Sequence, residues 1–377
     1  MMPAYGELPS PCFLLEENRL IKNLQLIQQV QQQSGCQVIL ALKGFAMWSA
    51  FPLIRQYLKG CAASSYNEAK LAYEHFGNHV HLYAPAFKEV EFDSLLALSE
   101  RISFNSLSQW QRFAGKALAT GKSCGLRINP MINEVETDLY NPSGPQSRLG
   151  ITESELTQLP HGIEGLHAHA LCENGADSTL RLLEAIEKRF GHLLSQLKWL
   201  NLGGGHLMTR EGYDIDMLIQ ALNAFGQRHP HLQLVLEPGS AIAWDCGPLI
   251  STVLDIIHRG GINIAILDIS ATDHMPDVLE MPYRPAVRQA AKPDELAYTY
   301  RLGGLSCLAG DVVGDYSFAN ELRVGDQIIF EDMMHYTMVK TTMFNGLHHP
   351  AIAIHKKDGT FQILKQFGFS DYENRLS

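Results

Sequence analysis

The chain has 377 residues and a mass of 42.0 kDa, more than one hydrophobic core usually organises, so we expect two domains. Apolar residues make up 46% of the sequence and charged residues 19%, a balance that excludes a disordered or collagen-like chain. The formal net charge of −10 argues against a sequence-independent grip on nucleic acid or anionic lipid and favours cationic ligands.

The N-terminal sequence predicts a soluble, cytoplasmic protein. It lacks the basic and apolar segments of a secretion signal, and no apolar run reaches the length of a membrane span. The seven cysteines are scattered, odd in number and without a CxxC pair. This pattern predicts reduced thiols rather than a disulfide framework.

Short apolar or β-branched runs alternate with helical patterns through the first two thirds of the chain. The runs are Val38–Leu42, Gly60–Ala63, Val80–Tyr83, Ile102–Phe104, Gly125–Ile128, Ile163–His169, Trp199–Leu202 and Leu232–Glu237. Eight parallel strands joined by crossovers can close without leaving an edge, so we predict a (β/α)₈ barrel of the TIM type. A doubly wound open sheet is the alternative that the same pattern allows.

Helix-start signals support this alternation. A first helix is expected over Asn18–Gln31, before the first barrel strand. Later helices are expected to begin at three capping boxes, Ser65-x-x-Glu68, Ser106-x-x-Gln109 and Thr152-x-x-Glu155.

After Trp244 the pattern changes to runs with frequent Gly and Pro and without long helices between them, which predicts a mostly antiparallel β domain. The extended segment Ser10–Leu15 is a candidate strand of the same sheet. We therefore expect a barrel over residues 16–245 and a β domain over residues 246–377, completed by residues 1–15. The predicted strands of this domain include Leu249–Ile257, Ile262–Ile269, Asp326–Phe330, Thr337–Val339 and Ala351–Ile354.

Two charged residues stand at predicted carboxyl ends of barrel strands, where catalytic groups of this fold project. Lys43 directly follows the first run; a desolvated amine there could form a Schiff base, although a lysine that merely extends into solvent would look the same. Glu237 precedes Pro238-Gly239. Its carboxylate could bond the ring nitrogen of a pyridine cofactor, or belong to a solvated turn.

Glycine and histidine mark two further strand ends. Gly203, Gly204 and Gly205 would let backbone amides approach a phosphate, although a tight turn is an equal alternative. His167 and His169 point to one face of their strand and could bind zinc, but metal-dependent barrel hydrolases carry such a pair on the first strand, not the sixth. Together, the amine, the glycines, the carboxylate and an imidazole indicate a pyridoxal phosphate site without a metal.

Over nearly its whole length the chain resembles the alanine racemase-fold group of pyridoxal phosphate enzymes, which includes the basic amino acid decarboxylases. Ala41-Leu42-Lys43 resembles the cofactor-lysine motif, His169 the ring-stacking histidine and Gly203-Gly204-Gly205 the phosphate loop. Glu237-Pro238-Gly239 resembles the pyridine-nitrogen motif. The resemblance implies a barrel joined to a β domain.

The second domain carries further matches. Cys307-Leu308-Ala309-Gly310-Asp311 is similar to the catalytic cysteine loop of the group. Tyr336 resembles a tyrosine that reaches the cofactor phosphate, and Phe344-Asn345-Gly346 a motif near the active site. Arg127, in the fifth barrel strand, is a candidate to orient the cofactor or the stacked histidine, or to pair with an acid in the core.

Within the group, the segments Leu166–Glu173 and Asp273–Asp277 resemble the carboxynorspermidine decarboxylases. Three departures separate the chain from diaminopimelate and ornithine decarboxylases. Ser240 replaces an Arg after the E-P-G motif, Leu308 replaces an acid after the cysteine, and Ala62 stands where relatives often carry Asp.

The resemblance implies a homodimer in which Cys307 and Asp311 enter the active site of the neighbouring subunit. It implies that Lys43 holds pyridoxal phosphate as a Schiff base, that His169 stacks on the ring and that Cys307 reprotonates the decarboxylated carbon. Asp273 and Asp311 are candidates for binding the distal ammonium groups of the substrate, with a turn as the alternative role of Asp273.

The expected reaction is decarboxylation of carboxynorspermidine, and of carboxyspermidine, to norspermidine or spermidine in polyamine biosynthesis. A diaminopimelate or other basic amino acid decarboxylase of the same fold is the nearest alternative. A racemase, which needs a base on each face of its substrate, is another. A non-catalytic pyridoxal phosphate-binding regulator is the alternative from a different functional class.

Overall fold

A computed structural model describes residues 5, 8–135, 138–281 and 283–377, so part of the predicted N-terminal addition, residues 1–4, 6 and 7, lies outside the described residues. Two compact units divide the chain: Asn23–Ile242 form one, and Met1–Lys22 with Ala243–Ser377 form the other. The first division falls within helix α1 (Glu17–Ser34), which follows strand β1 (Cys12–Glu16). In the described part of the chain, no helix is both long enough and apolar enough to span a bilayer.

The first unit is the predicted parallel barrel. Its strands are β2 (Gln37–Val38), β3 (Leu40–Ala41), β4 (Cys61–Ala63), β5 (Val80–Tyr83), β6 (Arg101–Phe104), β7 (Ser123–Arg127), β8 (Ile163–His167), β9 (Trp199–Asn201) and β10 (Gln233–Leu236). Its helices are α2 (Phe51–Ile54), α3 (Tyr66–His75), α4 (Glu89–Leu98), α5 (Leu107–Ala119), α6 (Ala176–Leu194), α7 (Ile215–Arg228) and α8 (Ser240–Ala243), the last of which extends one residue into the other unit.

The barrel closes at its first strand position, which consists of the two short strands β2 and β3. β2 pairs in parallel with β10, whereas β3 pairs in parallel with β4. Ile39, between them, donates its backbone N–H to Leu236. The eight predicted runs therefore correspond to eight strand positions around one barrel, and the open doubly wound sheet is excluded.

Two of the three predicted capping boxes begin helices. The hydroxyl of Ser65 accepts the N–H of Glu68 at the start of α3, and that of Ser106 accepts the N–H of Gln109 at the start of α5. The third prediction is wrong: Glu155 does accept the N–H of Thr152, but residues 153–155 form a turn. Pro160 follows closely and prevents a helix from continuing.

The second unit contains a mostly antiparallel sheet. Its further strands are β11 (Leu249–Arg259), β12 (Ile262–Leu267), β13 (Ala290–Ala291), β14 (Tyr298–Gly303), β15 (Val312–Phe318), β16 (Gln327–Phe330), β17 (Ala351–His355) and β18 (Phe361–Lys365). Its short helices are α9 (Ala271–His274), α10 (Asp277–Glu280) and α11 (Phe369–Glu373). β1 lies between β11, to which it is antiparallel, and β17, to which it is parallel.

The strand predicted at Thr337–Val339 is wrong. Met338–Lys340 form a 3₁₀ helix, and both Val339 and Lys340 donate their N–H groups to the carbonyl of Tyr336. Tyr336 has a φ of 47°, a left-handed conformation that interrupts extended backbone. A β-branched residue pattern this short does not overcome such a turn.

Trp199 requires glycine on two neighbouring strands. Its indole covers Gly165 of β8 and Gly125 of β7, where an added Cβ would overlap the ring. The indole N–H donates to the hydroxyl of Ser123 at 2.9 Å. A single large side chain therefore packs against both neighbouring strands.

We therefore expect Gly165→Ala to lower the thermal midpoint of unfolding, because the new methyl group must displace the buried indole, at a cost of about 1–3 kcal/mol. Gly191→Ala is the matched control: Gly191 lies within α6 and has open space around it, so alanine should raise the midpoint slightly. Equal midpoints for the two variants would contradict the packing role of Gly165.

Candidate active site

The carboxyl ends of the barrel strands surround one cavity, and the residues predicted there from sequence meet in it. Lys43 follows β3, His169 follows β8, and Glu237 follows β10. The full lining consists of Ala41, Lys43, Ala62, Ala63, Ser64, His81, Tyr83, Arg127, His167, His169, Gly204 and Glu237.

Lys43 lies against the ring of His169. Its Nζ is 3.2 Å from Nε2 of the imidazole. The lysine side chain is reachable from the cavity, but protein surrounds it; this burial, followed by the charge of Arg127, lowers the pKa of Lys43. Burial also lowers the pKa of His169 well below its ordinary value, so the imidazole is neutral.

A backbone amide fixes the tautomer of His169. The N–H of Gly204 lies 3.0 Å from Nδ1 and can only donate, so Nδ1 accepts and the single ring proton lies on Nε2. Nε2 can then donate to Lys43 only if the lysine amine has a free lone pair. The contact therefore favours a neutral Lys43, the form that attacks a carbonyl.

Glu237 is buried beside two polar side chains. Oε1 accepts the amide Nδ2–H of Asn201 at 2.5 Å, and Oε2 lies 3.6 Å from Nε2 of His167. Burial raises the pKa of Glu237, while Asn201 and the charges of Lys43 and Arg127 oppose this shift. Asn201 was not predicted from the sequence; a polar residue inside an apolar strand run was the available signal.

Two neutral histidines, His81 and His167, also line the cavity. Burial lowers the pKa of His81 to about 3 and that of His167 well below its ordinary value. Within the described ranges, Nε2 of His167 has no hydrogen-bond partner, and no group of three or more His, Cys, Asp or Glu side chains could hold a metal ion.

Arg127 supports the backbone that carries His169. Its guanidinium donates to the carbonyl of His169 at 3.1 Å and lies over the ring of Tyr83, 4.5 Å from the centroid. Of the three roles considered from sequence, orientation of the histidine fits this geometry. The hydroxyl of Tyr83 donates in turn to Asn105 at 2.8 Å.

The glycines allow close approach of backbone segments. A Cβ on Gly203 would lie 2.5 Å from that of His169, and a Cβ on Gly204 would lie 2.6 Å from the carbonyl oxygen of Glu237. Gly205 has a φ of 90°, and Gly239 packs directly against Gly44. The amides of Gly203 and Gly204 donate to Asn201 and His169, so these two glycines hold site residues together in addition to narrowing the loop.

One group in the barrel was assigned only a structural role from sequence. Glu68, predicted as a helix-start residue, accepts the N–H of Ser64 and interacts electrostatically with Lys43. Burial raises the pKa of Glu68, and the lysine charge opposes that shift. An acid thus acts on Lys43 from α3, although Ala62 takes the place of the acid common in relatives.

The second unit brings the remaining predicted residues into one hydrogen-bonded set of loops. Cys307 is exposed and donates its backbone N–H to Oδ1 of Asn345 at 2.6 Å. Asp311 is buried, and its two oxygens accept the N–H groups of Ala271 and Ser306. Asp311 therefore fixes the loop that carries the thiol.

Asp273 lies next to this loop set and is fully buried. Its Oδ1 accepts the N–H of Phe344 at 2.7 Å and the hydroxyl of Thr342. Oδ2 has no hydrogen-bond partner in the described part of the chain. One oxygen thus holds the segment before Asn345, while the other is buried without a hydrogen-bond partner among the described residues.

Tyr336 is positioned by strained backbone. It has a positive φ, as does Asp332 four residues earlier at 59°, and the ring of the intervening His335 stacks on Trp244. Bulky residues rarely adopt this conformation without a compensating reason. Its occurrence at the tyrosine singled out from sequence fits a functional position.

A family model described as the pyridoxal-dependent decarboxylase C-terminal sheet domain matches residues 32–334. The chain belongs to this decarboxylase family. The fold seen in both units agrees with that membership.

Two curated relatives match almost end to end. The carboxyaminopropylagmatine decarboxylase of Synechocystis is 52% identical, with 99% of this chain and 97% of the relative covered. The carboxynorspermidine/carboxyspermidine decarboxylase of Campylobacter jejuni is 41% identical, with 98% and 99% covered. The chain is also similar to the crystal structure of carboxynorspermidine decarboxylase from C. jejuni in complex with norspermidine, with a TM-score of 0.91, 40% identity and coverage of 98% and 100%.

The cavity fits the cofactor of this family. Lys43 offers an amine that burial tends to keep neutral, Glu237 offers a carboxylate, and the glycines allow the backbone of the loop to lie directly against His169 and Glu237 at the cavity. Nε2 of buried His167, which has no hydrogen-bond partner among the described residues, is a further polar atom at the cavity. Together these groups are suited to bind a pyridine aldehyde that bears an anionic group.

We expect Lys43→Ala to abolish the visible absorption band of bound pyridoxal phosphate and to reduce turnover by about 1,000-fold or more, because no neutral amine then holds the aldehyde. Absorption spectroscopy and carbon dioxide release measure the two effects. Lys70→Ala, at an exposed lysine of α3, is the control and should match the unaltered protein. A Lys43→Ala protein that kept both properties would rule out this role of the amine.

Proposed function

We propose that this chain is a pyridoxal phosphate-dependent decarboxylase of carboxylated polyamines, with carboxynorspermidine and carboxyspermidine as its expected substrates. The observation that carries the proposal is the contact of Lys43 with His169, whose geometry favours a neutral amine, beside the largely buried Glu237, in a chain whose end-to-end relatives are named for such substrates. The products would be norspermidine or spermidine and carbon dioxide.

The barrel residues have distinct proposed tasks. Lys43 would hold the cofactor through Nζ, Glu237 would keep the pyridine nitrogen protonated, and His169 would lie against the ring. When bound, pyridoxal phosphate supplies a ring that accepts the electron pair released as carbon dioxide leaves. The glycine loop of residues 203–205, Gly239 and Tyr336 would contact its phosphate, while Arg127 holds the backbone of His169.

After carbon dioxide leaves, the substrate carbon requires a proton, and we propose that Sγ of Cys307 donates it. The exposure of Cys307 on its own unit supports action on a neighbouring subunit, as in a homodimer with shared sites. Asp273, whose Oδ2 has no hydrogen-bond partner among the described residues, would stabilise a nearby substrate cation through its negative charge. Asp311 would fix the loop and add its negative charge near the same cation.

Carboxyaminopropylagmatine is a second candidate substrate, favoured by the 52% identity to the relative named for it. It shares with the carboxylated polyamines the amino- and carboxyl-bearing propyl group at which decarboxylation occurs. The difference lies at the far end, where agmatine carries a planar guanidinium instead of a compact ammonium. The reacting groups described above serve either substrate equally.

Carbon dioxide release from carboxynorspermidine, carboxyspermidine, carboxyaminopropylagmatine, meso-diaminopimelate and ornithine tests the assignment. We expect kcat/KM for at least one of the first three to exceed that for both amino acids by about 100-fold or more. The two amino acids are shorter and lack the secondary amine of the first three, so they would leave polar groups of the site unpaired. The ranking among the first three identifies the preferred distal group. A preference for either amino acid would overturn the proposal.

Cys307→Ala should retain the visible band of bound cofactor but lower the rate of product formation by about 100-fold or more, because the proton donor is lost. Mixing inactive Cys307→Ala and Lys43→Ala chains should restore about one quarter of the activity by statistical formation of heterodimers. Verified heterodimers without any recovery would contradict shared sites. A normal rate in Cys307→Ala alone would contradict the role of the thiol.

A further inference from the structure

Asn201 is the last residue of β9 and connects three parts of the barrel site. Its Nδ2 donates to Oε1 of Glu237 at 2.5 Å, and its Oδ1 accepts the N–H of Gly203 at 2.8 Å. Its backbone carbonyl accepts the N–H of Ala168, next to His169, at 2.7 Å. One side chain therefore joins the carboxylate to the glycine loop, and its backbone joins both to the strand of the histidine.

A buried amide is costly unless its polar atoms are paired. Asn201 is only 2% exposed, and both ends of its side chain are paired with groups of the site. Its side chain therefore bonds groups of the active site and does not merely fill space in the barrel core. The neighbouring residues of the same strand, Trp199 and Leu200, are apolar and buried, as expected for structural positions.

We propose that Asn201 is a positioning residue that holds Glu237 as an oriented, hydrogen-bonded acceptor and fixes Gly203 relative to it. The inference rests on the proposed function, since it concerns the residues that would bind the two ends of pyridoxal phosphate. Because one side chain bonds both groups, the separation between the carboxylate and the start of the glycine loop is set by a single rigid amide.

The amide is chemically suited to this position. Its Nδ2 donates at every pH, whereas an acid there would have to share a proton with Glu237. Glu237 is also faced by His167, Lys43 and Arg127. Burial raises the pKa of Glu237, and the Asn201 bond is the first of the interactions that oppose this shift. Removal of the bond should make the carboxylate easier to protonate.

Two variants of Asn201 test separately its role in orienting Glu237 and Gly203 and its role as a proton donor in the hydrogen bond to Glu237. Asn201→Ala removes both side-chain bonds, so apoprotein should bind pyridoxal phosphate about tenfold or more weakly, in the absence of any substrate. Asn201→Asp keeps the acceptor for Gly203 and nearly the same shape. At low pH its protonated form can donate to Glu237 as the amide does, but as pH rises through the apparent pKa of the pair the second carboxylate ionises and repels the first.

The measurement is the dissociation constant and visible spectrum of each reconstituted protein across a pH series. We expect Asn201→Asp to show a loss of affinity and a spectral change with rising pH that the unaltered protein lacks. Asn18→Ala and Asn18→Asp, at an exposed position of α1, are the controls and should follow the unaltered protein. Thermal unfolding of the apoproteins shows whether each variant is folded.

An unchanged dissociation constant in folded Asn201→Ala, or a pH profile of Asn201→Asp equal to that of the unaltered protein, would overturn the inference. If Asn201→Ala does not fold, the Asn201→Asp profile alone decides. Failure of the unaltered protein to bind pyridoxal phosphate would instead overturn the proposed function. Binding by the unaltered protein with unaffected variants would overturn only the role of Asn201.

Discussion

The barrel site depends on the hydrogen bond from the backbone of Gly204 to Nδ1 of His169. A backbone amide cannot change its role with pH, so it imposes one tautomer on a ring that otherwise has two. The ring then presents a donor to Lys43, which is compatible only with an amine that has lost its proton. Burial favours the same state of the lysine. Geometry and electrostatics thus agree on the reactive form.

The need for backbone donors close to side chains also explains why so many glycines surround the cavity. His169, the glycine loop, Glu237 and the Gly44–Gly239 contact are packed so closely that a methyl group at several of these positions would meet backbone or the imidazole. Close packing brings backbone donors to side chains that need fixed protonation or orientation.

Much of the fold and of the barrel site could be predicted from sequence because four of the predicted barrel strands end at, or are followed by, residues of unusual type for that position. Lys43, Gly203 and Glu237 each interrupt an apolar run, and parallel strands bring such interruptions to one end of a barrel. Asn201 is also a polar residue at a strand end, but it lies one position inside the predicted run Trp199–Leu202, where a polar residue is easily overlooked.

Other features could not be predicted because they depend on partners distant in the chain. The sequence gives no indication that Asn345 would bond the backbone of Cys307, or that both oxygens of Asp311 would be used within its own loop set. The failed predictions at Thr152 and Thr337 have the opposite cause. At Thr152 the predicted capping bond forms, but Pro160 follows and no helix continues. At Thr337 the β-branched pattern suggested a strand, but the left-handed backbone conformation of Tyr336 turns the chain.

The position of β1 has a consequence for biosynthesis of the protein. Cys12–Glu16 pair with Ala351–His355, so this sheet cannot be completed until the polypeptide has been synthesised as far as β17. The barrel likewise waits for β10 before β2 has a partner. Such long-range pairings slow folding and leave strand edges exposed in the meantime. β1, an apolar segment, therefore lacks any partner in this sheet until β11 is synthesised, and lacks its parallel partner until β17 is synthesised.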